Sequence, residues 1–316
     1  MQAAVVEVPG QAPKFQSFAD PEPEDGEGLV QVRAVGLHPV VKAIASGAHY
    51  SSRASGPAIP GIDGVGTVED GRRVYFGFVR KPWGTMAERA VARASRFIPL
   101  PEDLDDATAA AIANPGMSAW LTLKDRALLT HGEAVLIMGA TGVAGQLAIQ
   151  VARHLGAKRV IAAGRNVEAL AGADVDGVIS LSQPEDAIRE ALLEEAVAGI
   201  DVVVDYLWGR PTELLLEALA KGFKPDSTHR TRLVEVGESA GTSITLRGAT
   251  LRSVDLTLTG SGFGAAKLDD VLAAIPQLFE LAAKRTLTVA VEPVPLSGVE
   301  EAWNRVEKGR RIVFTV

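Results

Sequence analysis

Gly139, Gly142 and Gly145 stand three residues apart in the run GATGVAG, with Thr141 and Val143 between them. Glycines spaced this way let a backbone approach a pyrophosphate. A helix that opens directly after them turns its unpaired N–H groups toward the same anion. Residues 134–138 (AVLIM) read as a buried strand and 143–155 as a helix. In that setting G-x-x-G-x-x-G signals dinucleotide binding rather than a bare tight turn. The next predicted strand, 159–163, ends in Ala162-Ala163-Gly164-Arg165-Asn166. A site for NAD places a carboxylate near this tip, roughly 20 residues after the glycines, to hold the ribose 2′-hydroxyl. Here Arg165 stands at the tip instead, and a guanidinium suits the 2′-phosphate of NADPH. The expected cofactor is therefore NADPH, held by Gly139, Thr141, Gly142, Val143, Gly164, Arg165 and Asn166.

Other motifs fail on context. Gly237-Glu238-Ser239-Ala240-Gly241 spells the nucleophile elbow of α/β-hydrolases, but 242–248 reads as β-like rather than helical. In that fold the catalytic histidine follows the serine, and all five histidines (His38, His49, His131, His154, His229) precede Ser239. The Tyr-x-x-x-Lys pair of short-chain reductases is absent: Tyr50, Tyr75 and Tyr206 are followed four residues on by Ala54, Val79 and Arg210. No P-loop, H-E-x-x-H or EF-hand signature occurs. With zero cysteines, disulfides and thiolate-bound zinc or iron–sulfur sites are excluded, and a reducing cytosol is the compatible compartment.

The elements that must position these residues follow from the rest of the chain. Its 316 residues suit two domains, and 47% hydrophobic content supplies a sizeable core. Thirty-two basic against 39 acidic side chains give a net charge of −7 with no long basic block, which argues against a nucleic-acid partner. The N-terminal run MQAAVVEVPG lacks the pattern of a signal peptide. The uncharged stretch 134–152 is interrupted by three glycines, a threonine and two glutamines, so no membrane span is expected. The first hundred residues read as short strands broken by Gly and Pro, with 51–61 as a loop. Asp105 or Asp106 would cap a helix that runs to Ala113 and stops at Asn114-Pro115-Gly116; a second helix is expected over 117–128. Strands at 134–138, 159–163, 175–181, 201–207, 233–236 and 256–260 then alternate with helices at 143–155, 183–198 and 212–220. That alternation predicts a parallel sheet covered on both faces. A helix is expected from 266 to about 284, and the tail returns to strands at 287–291 and 311–316. The economical reading folds the two ends together as one domain around an inserted middle.

These residues bring a family into view. The chain resembles the zinc-independent quinone oxidoreductases of the medium-chain dehydrogenase/reductase superfamily over nearly its whole length. Pro60-Gly61-Ile62-Asp63-Gly64-Val65-Gly66 is similar to that family's P-G-x-D-x-x-G strand, and Gly84-Thr85-Met86-Ala87-Glu88 to its G-x-x-A-E strand. Leu100-Pro101-Glu102-Asp103-Leu104 and Gly116-Met117-Ser118-Ala119-Trp120 are similar to its L-P-x-x-L and G-x-T/S-A-W segments. The resemblance implies an α/β chain: a GroES-like β-rich catalytic domain (1–110 and 266–316) and a doubly wound Rossmann NADP(H)-binding domain (111–265). It also implies Asn114 and Ser118 beside the nicotinamide, Gly237 and Ser239 near its ribose, and a homodimer joined through the last strands of the cofactor domain. Tyr206 and Trp208 either wall the cofactor cleft or pack.

Where zinc-dependent relatives carry a ligand histidine, this chain has Ile62, and the four-cysteine lobe is missing; no metal is expected. Without a Lewis acid the acceptor must already be electron-poor, a quinone or an α,β-unsaturated carbonyl reduced by hydride from NADPH. The expected site is a cleft between the domains with apolar walls. The family's N-P-x-D-x-Y segment is altered here: His38 replaces Asn, Val41 the acid and Ala43 the Tyr. Lys42 and Tyr50 remain as donors to a substrate oxygen, and His38 as a source of the following proton. The altered segment also keeps a rival open, an NADPH-binding redox sensor or other cofactor-binding protein without turnover.

Overall fold

The alternation of apolar runs and amphipathic segments after position 134 resolves into one parallel sheet in the computed structural model, which describes residues 1–50, 52, 56–222, 229–306 and 309–316. The chain divides into two units, Met1–Asn114 with Leu272–Val316, and Pro115–Val271.

In the first unit, β1 (Gln2–Val5) and β2 (Lys14–Ser17) form a two-stranded antiparallel sheet. β3 (Glu27–Gly36), α1 (Pro39–Ala45), β4 (Asp63–Thr67), β5 (Arg73–Gly77), β6 (Arg89–Arg93) and β7 (Ile98–Pro99) follow. Late in the chain come α7 (Leu268–Ala283), which begins before the unit boundary, then β14 (Ala290–Pro295), α8 (Val299–Trp303) and β15 (Arg310–Thr315). The seven-stranded sheet has the order β14-β15-β3-β4-β5-β7, with β6 also on β3. The last strand pairs antiparallel with an early one, Phe314 opposite Val35. β3 alternates inward Val30, Val32 and Ala34 with exposed Gln31 and Arg33, the period of a strand with one wet face. Its inner face meets Phe76, Met86, Ile59, Phe314 and Trp303 in one apolar core. Residues 51 and 53–55 of the loop expected at 51–61 lie outside the described residues; Ala58 bridges to Val6.

α2 (Asp106–Leu121) crosses the unit boundary and corrects the expected stop at 114–116. Asp105 does cap it, accepting the Thr108 N–H at 2.8 Å. The helix then runs through Pro115. A proline's fixed φ is helical, and its missing N–H costs one bond to the carbonyl four residues back. Burial of Ala109–Ala113, Met117 and Ala119–Leu121 outweighs that local loss. A π-helical turn at Thr122–Arg126 replaces the rest of the second expected helix.

In the second unit β8 (Ala134–Met138), α3 (Val143–His154), β9 (Arg159–Gly164), β10 (Gly177–Ser180), α4 (Glu185–Ala198), β11 (Val202–Asp205), α5 (Gly209–Lys221), β12 (Arg230–Glu235), α6 (Thr250–Ser253) and β13 (Asp255–Gly260) follow one another. The sheet order is β10-β9-β8-β11-β12-β13, all parallel. This is the doubly wound order, with its switch between β8 and β11. β12 begins earlier than its apolar stretch because Arg230 pairs with Asp255 on the edge strand. The 242–248 segment, expected as β-like, is irregular: its Thr245 N–H goes to the Glu213 carboxylate at 2.7 Å instead of to a strand. Among the described residues no helix is long and apolar enough to cross a membrane; the uncharged 134–152 stretch is β8, a turn and α3.

Candidate functional site

The glycine turn leaves β8 and enters α3 at the carboxyl edge of the parallel sheet. Gly139 and Ala140 donate their N–H groups to the Ala163 carbonyl of β9, at 2.8 and 3.0 Å. Gly142 is the N-cap of α3 in extended geometry, with no side chain capping it. The Gly142 N–H itself goes to the Gly139 carbonyl at 3.2 Å, and the helix begins after it without a capping side chain, the arrangement that receives a phosphate. A Cβ at Gly145 would lie 2.4 Å from the Gly139 carbonyl oxygen and 2.5 Å from the Ala140 Cα, so only glycine lets the helix pack this close to its own turn. Val143 is buried beneath the turn, while Thr141 is half-buried and Gly142 exposed.

β9 ends at the buried Gly164. Arg165 and Asn166 follow, both exposed. The Arg165 backbone carbonyl accepts the Ser182 hydroxyl at 2.8 Å, and among the described residues its guanidinium makes no ion pair. No carboxylate stands at this strand tip.

On the other side of the switch, β11 ends at the fully buried Asp205. Its carboxylate accepts the Leu207 and Trp208 N–H groups at 2.9 and 3.1 Å and the Thr212 hydroxyl at 2.5 Å. Burial pushes the Asp205 carboxyl above its ordinary range, and those three donors pull it back down. Glu235, its register partner on β12, is also raised, by burial and then by the Asp205 and Glu238 charges. The Tyr206 hydroxyl is buried; burial raises its pKa, and Ser118 acts in the opposite direction. Trp208 packs against the core of this unit. Ser239 is exposed, and its hydroxyl donates to the Tyr206 carbonyl at 2.8 Å. The Gly237 N–H donates to the Asp205 carbonyl at 3.2 Å. Asn114 and Ser118 lie one turn apart in α2, each half-buried.

The first-unit candidates occupy three different settings. His38 is the N-cap residue of α1 and 1% exposed; its Nε2 lies 3.4 Å from the Asp63 Oδ1. Asp63 is itself buried and accepts the Tyr75 hydroxyl at 3.0 Å. Burial, then the Asp63 charge, holds the Tyr75 phenol well above its usual value, so it stays a donor. Lys42 is half-buried and donates from Nζ to the Arg305 carbonyl at 3.3 Å. Tyr50 is 72% exposed, its ring 4.1 Å from that of His49. Among the described residues no group of three or more His, Cys, Asp or Glu side chains is placed to hold a metal ion.

Sequence reasoning missed Asp205, Thr212 and Tyr75. A charged residue closing the apolar run Val202-Val203-Val204 was the available signal for Asp205. Nothing local marked Thr212 or Tyr75.

A parallel sheet in doubly wound order with a glycine turn at its carboxyl edge, alongside a β-rich unit closed by both chain ends, defines the medium-chain dehydrogenase/reductase architecture. No protein-family model matches the chain. It is 28% identical to the Probable NADPH-dependent quinone reductase tdiC of Emericella nidulans, over 96% of each chain. It is 33% identical to the quinone oxidoreductase of Pongo abelii, over 66% of this chain and 62% of that protein. The fold superposes on the quinone oxidoreductase of Thermus thermophilus, described also in complex with NADPH, with a TM-score of 0.76 and 29% identity over the whole of both chains. A mycobacterial quinone oxidoreductase gives a TM-score of 0.84 at 22% identity, again over both whole chains. In sequence and in fold the chain is similar to quinone oxidoreductases of the medium-chain dehydrogenase/reductase superfamily.

Proposed function

We propose that this chain is a metal-free, NADPH-dependent reductase that delivers hydride to a quinone or to the conjugated double bond of an α,β-unsaturated carbonyl. The observation that carries this reading is the exposed Arg165, without an ion pair among the described residues, at the tip of β9 beside the glycine turn. That surface fits the cofactor: the N–H groups of the first turn of α3, after Gly142, for the pyrophosphate, and a guanidinium where NAD would need a carboxylate. Gly139, Thr141, Gly164 and Asn166 form its walls, while Gly237, Ser239, Asn114 and Ser118 are the proposed contacts toward the nicotinamide end. NADPH, when bound, supplies the hydride.

The metal-free part is supported by the donor set, which has no cysteine anywhere and no metal-ligating cluster among the described residues. Such a chain has to use an acceptor that needs no Lewis acid. Of the first-unit candidates, Lys42 and Tyr50 reach solvent and are assigned to the acceptor oxygen; Lys42 brings the charge that stabilises a developing oxyanion. His38, buried with its Nε2 3.4 Å from the Asp63 Oδ1, is kept as the reserve source of the proton.

β13 is the sheet's edge and exposes Leu258, which supports a homodimer formed strand to strand. The absence of cysteine fits a cytoplasmic enzyme.

The rival is a cofactor-binding sensor, favoured by Val41 and Ala43 in place of the family's acid and tyrosine. The test follows NADPH oxidation by absorbance with quinones and conjugated enones, with NADH and a chelator as controls. Turnover that survives the chelator and prefers NADPH supports the reductase; NADPH binding without turnover on any acceptor supports the sensor.

A further inference from the structure

We infer that Asp205 is a positioning residue for the cofactor site: its carboxylate sets the 206–209 turn, and through that turn both glycine loops at the carboxyl edge of the sheet. The inference rests on the proposed cofactor reading, since those loops are the ones assigned to NADPH.

Every acceptor oxygen of Asp205 is committed. Oδ1 takes the N–H groups of Leu207 and Trp208, and Oδ2 takes the Thr212 hydroxyl of α5. Its backbone carbonyl takes the N–H groups of Val236, at 2.7 Å, and Gly237, so one residue ties the turn, the helix and the second glycine loop. The turn itself continues the link. The Tyr206 carbonyl accepts the Ser239 hydroxyl, and the Leu207 carbonyl accepts the Ala240 N–H at 2.7 Å. On the opposite side the turn packs on the first loop: a Cβ at Gly139 would meet the Leu207 side chain at 3.1 Å and the Tyr206 Cβ at 3.2 Å. A shift of 206–208 is therefore felt by both loops at once.

The turn is held away from its preferred geometry. Trp208 has φ 53° and ψ −161°, a region that bulky L-residues avoid. A backbone kept in such a state needs surrounding bonds that over-determine it, and such states gather at functional sites. The buried carboxylate accepting the Leu207 and Trp208 N–H groups is that constraint. An uncharged amide keeps one acceptor for the N–H pair but turns a donor toward Thr212, whose hydroxyl would have to reverse, and it removes the charge that strengthens all three bonds. Asp205 touches no substrate in this account; it acts through the loops.

The test uses the protein and four variants: Asp205→Asn, Thr212→Val, Thr212→Ser and, as a stability control whose side chain makes none of these hydrogen bonds, Leu192→Ala in α4. NADPH dissociation constants are measured by fluorescence well below each variant's melting temperature, together with KM and kcat. Asp205→Asn is expected to weaken NADPH binding by about tenfold or more, as misplacement of a binding surface does. Thr212→Val is expected to weaken it, and Thr212→Ser, which keeps the hydroxyl, to restore it. Leu192→Ala is expected to lower the melting temperature and leave the dissociation constant unchanged. Wild-type NADPH affinity in Asp205→Asn or Thr212→Val, with only the melting temperature lowered, would overturn the inference while leaving the cofactor reading standing. Should Asp205→Asn fail to fold, the valine and serine pair at 212 decides alone. Absence of NADPH binding by the wild-type protein would overturn the cofactor reading, and this inference with it.

Discussion

A Cβ on Gly164 would stand 2.4 Å from the Thr141 methyl group, so the tip of β9 is pressed against the glycine turn. Arg165, the next residue, therefore leaves the strand beside the glycine turn, where the proposed reading puts the 2′-phosphate of NADPH. Arg165→Ala should raise the KM for NADPH by roughly 10- to 100-fold, the worth of a charge-assisted hydrogen bond of about 1.5–3 kcal/mol. The KM for NADH should barely move. Steady-state kinetics with both cofactors measures the ratio; an equal loss for the two would remove Arg165 from the 2′-phosphate.

Gly145 makes the second demand on the turn. Its neighbours at 2.4 and 2.5 Å are backbone atoms, which cannot swing aside as a side chain would. Gly145→Val should push α3 off the turn, lower stability by about 1–3 kcal/mol or more, and abolish NADPH binding in whatever protein folds. Thermal melts with and without NADPH read both effects: the variant should lose the cofactor-induced rise in melting temperature.

Lys42 and Tyr50 are separable by substitution. Lys42→Met should lower kcat about a hundredfold, in line with removal of an oxyanion donor, and leave the NADPH dissociation constant unchanged. Tyr50→Phe should keep kcat close to wild type, because the exposed hydroxyl is the weaker donor. A large kcat loss in Tyr50→Phe with none in Lys42→Met would exchange the two assignments.

The charge network on the second unit gives a pH signature. Glu185 pairs with Arg210 and Arg189, which hold its carboxyl at about 2 against an ordinary 4.5. A depressed carboxylate stabilises the fold above its unfolded pKa, and that contribution is lost as pH falls from about 4.5 toward 2. The pair is exposed, so salt must weaken it. Urea midpoints for the wild type and Glu185→Gln should differ at pH 6 in low salt, converge as pH falls through that window, and converge again in 1 M salt. A difference independent of both pH and salt would remove the ion pairs as its source.

Much of the second unit was legible because its signals are local. The 134–138 run is apolar on both faces and followed by glycines, and it is β8 without a shift in bounds. α3 and α4 match their expected spans to within two residues. Errors arose where tertiary packing overrode a local rule. Pro115 reads as a helix stop, yet surrounding burial carries α2 through it. The β-like reading of 242–248 failed because its backbone bonds to a side chain of α5 rather than to a neighbouring strand. The Asp205 hub was invisible for the same reason: its partners are seven residues away at Thr212 and about thirty away at Gly237, and only the fold joins them. His38 and Asp63, 25 positions apart, meet because β3, which ends two residues before His38, pairs antiparallel with β4, which begins at Asp63.

The proposed function stands on hydride delivery from NADPH to an electron-poor acceptor without a metal. The most direct measurement is NADPH oxidation by the purified protein against quinones and conjugated enones, with and without a strong chelator. Turnover with at least one acceptor class, unchanged by the chelator and much slower with NADH, is the expected result. Turnover abolished by the chelator and restored by added zinc would contradict it.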